Sequence, residues 1–473
     1  MSAHQPHTVS SPGHVPSHVP SQVPIDDRRL TAFHKRLTVF SAGGPFLDGF
    51  ALTIIGIALI SMVPALDMST VDVGLVGASA LIGIFVGGLV FGYVTDRVGR
   101  KVMYIADLTM LVVVSIASAF ATEVWQLVAL RFLLGVAIGA DYPIASSLLA
   151  EFIPSRYRGR LLGALFVVWA GGAAAAAGVG WALSTMGPDA WRWMLASPAV
   201  FGVVTLMLRA GTPESPRWLL SRGRTEEAQR VCRKVWGNDA DIAMIPAEPA
   251  HTPFTALFRG IYLRRVVFVG VFFTAHVIPL FAVYTFGPDI LREMGVGAHG
   301  SHHVYVAELV ISLLFLVGGV PGLLLVDRIG RKPLLLWTFA VMSAAFIAMA
   351  VVPGAPAQIL FALLALYAVT SGACNFIEII YPNELFPTSV RASATGTVVA
   401  ISRVGSAVST FVLPLVLSGT GLGGVMWLLA GVNVVGLLIT LVLGEETRGR
   451  ALSETSAATR LTAPDTRSDP VDA

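Results

Sequence analysis

Six ionisable side chains set within long apolar runs are candidates for chemistry: Asp48, Asp107, Arg131, Asp141, Glu378 and Arg403. A charge near a bilayer centre costs at least about 2.5–3.5 kcal/mol on insertion scales, so each needs a partner, a water-filled cavity or a task. Carboxyl groups in such places suit proton uptake and release, and a guanidinium suits a counter-ion or the capture of an anion through its planar fork of donors. Asp48 follows Gly43-Gly44-Pro45 by three residues, a stretch that weakens a helix and frees backbone groups toward a cavity. It is the first candidate for a proton carrier, with a structural ion pair as the alternative. Arg131 opens a pattern of Gly135, Gly139, Tyr142 and Pro143. At about 100° per residue, positions 131, 135, 138 and 142 share a helix face, and the glycines admit close helix approach. Arg131 and Tyr142 therefore line one stripe, where Arg131 is placed to pair with Asp48 or to be released when that acid is protonated. Asp141 falls on the adjacent face and is a second proton-route candidate. Asp107 and Glu378 lie nearer the ends of their runs and read as solvated or paired with loop arginines. Arg403 reads as a receptor for an anionic group, with a pair to Glu378 as the alternative. Trp169, His276, Tyr284 and Asn375 are candidate substrate contacts in the same cavity, although a lone histidine is more often a hydrogen-bonded core residue.

The elements that must position these groups are spanning helices. Of 473 residues, 55% are hydrophobic and 13% charged, against about 25% charged in soluble proteins, which excludes an ordinary soluble enzyme. A span needs about 20 apolar residues. Runs of that kind occur at 37–64, 72–94, 102–121, 125–149, 160–184 and 190–209, and again at 263–288, 303–326, 333–352, 357–381, 392–415 and 422–443. The expected class is an all-α integral membrane protein with twelve transmembrane helices in two six-helix bundles. It divides into a disordered, Pro- and His-rich tail (1–36), an N-terminal bundle (37–209), a linker (210–262), a C-terminal bundle (263–443) and a short tail (444–473). Within the linker, 225–236 predicts a capped amphipathic helix on the membrane surface, with Val231, Val235 and Trp236 on its apolar face. With both termini cytoplasmic, 28 of the 32 Lys and Arg residues fall on the cytoplasmic side, in its loops, linker and tails, a strong positive-inside bias. The first run is too long for a signal-peptide core, so it is expected to remain as a span of the cytoplasmic membrane. Cys232 and Cys374 are too few and too far apart for a disulfide framework or a metal site. Nucleotide-binding and hydrolytic motifs are absent, so neither an enzyme nor ATP coupling is expected.

The two halves repeat. After the second run stand Gly92, Asp96, Arg97, Gly99, Arg100 and Lys101; 231 residues on, Asp327, Arg328, Gly330, Arg331 and Lys332 recur in register. Glu151 and Arg158 are spaced like Glu384 and Arg391, 233 residues later, and Glu214 with Arg217 after run six has a counterpart in Glu446 after run twelve. The glycines permit tight helix connections, the acids suit helix N-termini, and the arginines can pair with acids beneath the bundle. Such contacts form a latch on one side, either a structural staple or a gate. Duplicated halves favour gating, since two bundles rocking about a midplane site give alternating access.

On these motifs the chain resembles the major facilitator superfamily over about 37–450, nearest its sugar-porter and metabolite:proton symporter branches. Residues 92–101 are similar to the superfamily loop 2–3 motif, and 213–219 to the sugar-porter sequence after span 6. The resemblance implies no cofactor beyond a proton gradient as driving force, a small-molecule substrate and the lipid bilayer as partners, no nucleic acid, and a monomer. Asp48-Gly49-Phe50 resembles the start of an Asp-Gly-Phe-Asp motif of aromatic-acid symporters, with Ala51 in place of the second acid. Gly139-Ala140-Asp141-Tyr142-Pro143 resembles a phosphate-symporter segment whose acid lies on the proton route. Arg131 falls where the superfamily often places a coupling arginine, and the surroundings of Arg403 resemble the Gly-Arg-x-Gly of aromatic-acid symporters. The Gln pair of span 7 and the Gly-Pro-x-x-Trp of span 10 that sugar porters carry are missing, as is the span-5 Gly-Pro of drug exporters. The expected function is proton symport of a small polar metabolite, an organic acid, with a sugar or polyol porter as the alternative and an exporter or nutrient sensor disfavoured.

Overall fold

The computed structural model describes residues 30–153, 155–237, 240–244, 254–296, 301–386 and 388–448. Of the expected tails, 1–36 and 444–473, residues 1–29 and 449–473 lie outside the described residues, while 32–36, expected to be disordered, form the first turn of the first helix. Among the described residues every regular element is helical. Six spans come first: α1 (Ala32–Ala65), α2 (Thr70–Val98), α3 (Arg100–Ser118), α4 (Val124–Phe152), α5 (Ser155–Leu183), and α6 (Ala190–Ala196) continued by α7 (Pro198–Arg209). The linker carries α8 (Pro216–Ser221) and α9 (Thr225–Trp236). The second set is α10 (Gly260–Glu293), α11 (Ser301–Ile329), α12 (Arg331–Val351), α13 (Ala357–Cys374) extended by α14 (Ile377–Leu385), and α15 (Thr388–Leu443).

Among the described residues, eleven helices are long and apolar enough to cross a membrane. The last supplies two crossings, because its 56 residues would measure about 84 Å if straight, against about 30 Å of hydrocarbon. Gly421, at φ 66° and ψ −167°, turns the chain back between the expected runs 392–415 and 422–443. The connection is one glycine, a conformation without penalty only for a residue lacking Cβ.

The packing repeats between the halves. In the first, α2 lies on α4, α1 on α5, and α3 on α7; in the second, α11 lies on α13, while α10 and α12 both lie on α15. Across the middle, α2 meets α15, α5 meets α11, and α1 meets α10. Glycines bring α2 and α4 together as their spacing predicts: a Cβ on Gly135 would strike the Ala80 carbonyl, and one on Gly139 the Ile84 carbonyl. At the end away from the loop motifs the halves also meet closely, with Gly56 of α1 against the Tyr284 and Thr285 carbonyls of α10. There α10 departs from helical geometry at Phe286, just before Gly287-Pro288.

The linker helix occupies the expected residues but not the expected place. Of its buried side chains, Cys232, Val235 and Trp236 pack among Leu37, Tyr104 and Phe152, with the Trp236 and Phe152 rings 5.8 Å apart. The apolar face docks on protein rather than lipid. The expected Thr225 cap does not form either: Arg224 is the N-cap residue, and its guanidinium pairs with Glu227 at 2.6 Å.

Candidate functional site

The loop motifs build the same object twice. Glu214 accepts hydrogen bonds from the backbone N–H groups of Arg100 (3.1 Å) and Lys101 (3.1 Å), so it caps α3. Glu446 accepts from Arg331 (3.1 Å) and Lys332 (3.1 Å), so it caps α12. Each satisfies donors that a helix N-terminus leaves open, with negative charge at the positive end of the dipole. Gly99 (φ 112°) and Gly330 (φ 104°) precede the capped helices in backbone conformations that a side chain would strain, and a Cβ at either would collide with the capping glutamate. Arg331 adds a two-pronged pair to Glu384, Nη2 at 2.8 Å and Nε at 3.1 Å, and Thr447 donates its hydroxyl to the same carboxylate. Arg391 donates to the Phe386 carbonyl at 3.2 Å. Arg97 and Arg328 are exposed and Arg217 half-buried. Two further buried groups obey the repeat: His34 bonds the Phe152 carbonyl at 3.0 Å, and Arg265, 231 residues later, donates to the Leu385 carbonyl at 2.7 Å while pairing with Glu445 at 2.9 Å. The side chains of Gly92, Asp96, Tyr142, Glu151, Arg158 and Asp327 lie outside the described residues.

Inside the first bundle, the acids gather round an arginine that the sequence reading counts with the loop basic residues. Arg209 closes α7 and is 0% exposed. Its Nη1 lies 2.5 Å from Asp141 and 3.9 Å from Asp107, and the same group donates to the Tyr104 carbonyl at 3.3 Å while Nε donates to that of Phe40 at 3.3 Å. Its plane rests on the Tyr104 ring, 3.7 Å from the centroid, and the Tyr104 hydroxyl bonds Ser41 at 2.9 Å. Asp107 is thus part of the buried cluster, not a solvated residue at a helix end. Gly44 makes the cluster possible, because a Cβ there would overlap Asp141 Oδ2 and Arg209 Nη2. Asp48 is buried on α1, within electrostatic reach of Asp141 and Arg209 in its own bundle and of Arg403 in the other. Arg131 does not form the expected pair: its Nη1 donates to the Ala51 carbonyl at 2.9 Å, one residue past the Asp48-Gly49-Phe50 segment.

The second bundle has a different buried unit. His276 Nδ1 bonds Glu378, and its Nε2 lies 2.8 Å from the Ser371 hydroxyl, so Glu378 is paired within the span rather than with a loop arginine. The partners are 102 residues apart in sequence, which is why neither run reveals the other. Arg403 lies over the Phe281 ring, 5.1 Å from its centroid, and its charge reaches both Glu378 and Asp48. Trp169 of α5 meets Tyr284 of α10 edge to face at 5.4 Å, a contact between bundles. Asn375 is half-buried at the break between α13 and α14. Glu308 of α11, absent from the sequence reading, is buried with Oε2 unpartnered against Gly287; it stands so early in its run that composition reads it as an end residue. Among the described residues, groups of three or more metal-ligating side chains are absent.

This arrangement can do two things: hold protons on carboxyl groups sealed from water, and place a guanidinium whose charge reaches an acid of the opposite bundle. Known proteins share the whole frame. Residues 30–458 match the family described as "Sugar (and other) transporter". The chain is 39% identical to the putative metabolite transport protein YaaU of Escherichia coli K12, covering 92% of this chain and 97% of that protein. It is 37% identical to the inner membrane metabolite transport protein YgcS of the same organism, covering 90% and 95%. Among solved structures, the xylose transporter XylE of E. coli in a partially occluded, inward-open conformation superposes with a TM-score of 0.76 at 21% identity, covering 89% of this chain and 100% of that one. The twelve-span, twice-repeated chain is therefore a member of the sugar (and other) transporter family of the major facilitator superfamily, a membrane transport protein and not an enzyme.

Proposed function

We propose that the protein imports a small organic acid together with a proton across the cytoplasmic membrane, with both termini on the cytoplasmic side. The observation that carries this reading is Arg403, a half-buried guanidinium within a span whose charge reaches Asp48 of the opposite bundle. A cargo carboxylate and ionised Asp48 compete for that charge. Protonating Asp48 removes the competitor, so anion and proton bind together; rocking of the bundles then exposes both to the other side. Asp141 belongs to the proton route in this scheme. Arg131, bonded to the Ala51 carbonyl, holds the backbone beside Asp48 and responds to that acid's charge. The Trp169–Tyr284 contact, His276 and Asn375 shape the cargo site, with Tyr142 on the stripe of Arg131. The paired caps and the Arg331–Glu384 pair form the cytoplasmic latch.

Reciprocity between sites fixes the pH dependence. Carboxylate affinity falls as pH rises through the titration of Asp48, by up to about tenfold per pH unit for one proton. Thermal-shift titration of the purified protein with monocarboxylates, pentoses and polyols tests the cargo class, since a ligand that binds the folded form raises its melting temperature. Stabilisation by a carboxylate that disappears in Arg403→Gln is expected. In proteoliposomes Asp48→Asn is expected to abolish uphill uptake while leaving exchange, and unchanged proton-driven accumulation would refute the role of Asp48. The second reading, a sugar or polyol porter, is favoured by the family description; stabilisation by pentoses or polyols alone would establish it.

A further inference from the structure

The cluster around Arg209 holds more carboxylates than its one guanidinium can balance. Asp48 from α1, Asp107 from α3 and Asp141 from α4 surround a single guanidinium from α7, and the other titratable group facing it is Tyr104 of α3, whose ring lies under Arg209. Asp107 and Asp141 lie within hydrogen-bonding reach of each other, yet the Oδ2 atoms of both are buried with no donor, while Asp107 Oδ1 accepts from the Leu108 N–H at 2.6 Å and Asp141 Oδ1 from Arg209 at 2.5 Å. Two ionised carboxylates this close in a dry site repel, and one proton shared between them relieves the repulsion.

We infer that Asp107 and Asp141 share one proton, forming with Arg209 a charge-neutral proton site separate from Asp48. The pair holds a net charge of −1 against +1 on the guanidinium, so the unit is stable whatever the state of Asp48. The arrangement is specific to this half: the residue 231 positions after Asp107 is Thr338, and that 233 after Asp141 is Cys374, which keep a polar contact without the acids. Along the bundle, Asp107 lies seven residues from the capped start of α3, about 10 Å. The site is therefore a station between Asp48 and the loop face. It deepens the proton-coupled reading and rests on that reading only for the use to which the proton is put.

Infrared difference spectroscopy of the protein in lipid at neutral pH tests the site without any cargo. Wild type minus Asp107→Asn is expected to show loss of a carboxylic-acid C=O band that shifts on deuteration, and Asp141→Asn is expected to lose the same band. Asp107→Glu, which keeps a carboxyl in the site, is expected to retain it. Loss of carboxylate bands alone, or persistence of the acid band in Asp141→Asn, overturns the proposal. A measurement that leaves the pair intact guards against misfolded variants: Asp48→Asn protein labelled with [13C]aspartate is expected to keep an aspartic-acid band that moves with the label, and absence of such a band also overturns it. Failure here leaves the cargo assays untouched, and failure of the cargo assays leaves this spectrum unchanged.

Discussion

Arg209 has three kinds of support at once: an ion pair, two carbonyl acceptors and an aromatic face. Taking away one partner of a buried ion pair strands the other, at about 3–5 kcal/mol. Arg209→Gln is therefore expected to lower the melting temperature and folded yield sharply, measured by fluorescence-detected size exclusion. The same substitution in Asp141→Asn protein should cost much less than the two separate effects combined, because the stranded carboxylate is gone. Glu308 is the opposite case. With no hydrogen-bond donor to Oε2, it is expected to tolerate the isosteric Glu308→Gln with an unchanged or raised melting temperature, whereas Glu308→Ala opens a void. These residues also mark where the sequence stops being informative. The acids Asp48, Asp107 and Asp141 are visible because charges are rare in apolar runs, but their mutual geometry depends on which faces of α1, α3, α4 and α7 turn inward. Arg209 sits four residues before Pro213 and passes for a loop residue until Gly44 is seen to leave room for it.

At the level of elements, the two helix caps are equivalent and share no partner. Glu214→Ala and Glu446→Ala are each expected to cost about 1–3 kcal/mol of stability, typical of hydrogen bonds to a charged group, and to add in the double variant; thermal melts in detergent would check both. The linker helix gives a chemical test. Cys232 is buried against the first bundle, and that burial, with Asp241 nearby, pushes its thiol up to about 11. The thiolate is the reactive form, so in Cys374→Ser protein maleimide labelling should be negligible at pH 7–8 and complete after denaturation. Fast labelling of folded protein would show that α9 is not docked. Residues 225–236 announce a helix through apolar spacing and acidic-to-basic polarity, but periodicity reports only that one face is apolar. Whether lipid or protein covers it is decided by Leu37, Tyr104 and Phe152, which belong to remote segments.

For the whole molecule, the twofold relation was legible before any coordinates, because motifs at offsets of 231 to 233 residues must occupy corresponding places in two copies of one bundle. The interface between the copies was not, since it depends on backbone approaches such as that of Gly56 to the Tyr284 and Thr285 carbonyls. That contact predicts a conformational bias. Gly56→Val puts a branched side chain where no space exists, so it is expected to pry the bundles apart at that end and favour the state open there, read as a longer spin-label distance across α1 and α10; an unchanged distance distribution would show that the contact does not hold the bundles together. The turn at Gly421 has a practical corollary. With a single residue joining two crossings, that part of the surface offers no loop for a protease to nick or an antibody to grasp, and an epitope tag inserted there would have to be threaded through a helical hairpin. Affinity reagents for this transporter are better raised against the docked linker, and a reporter that must sit on the far side needs a different connection to carry it.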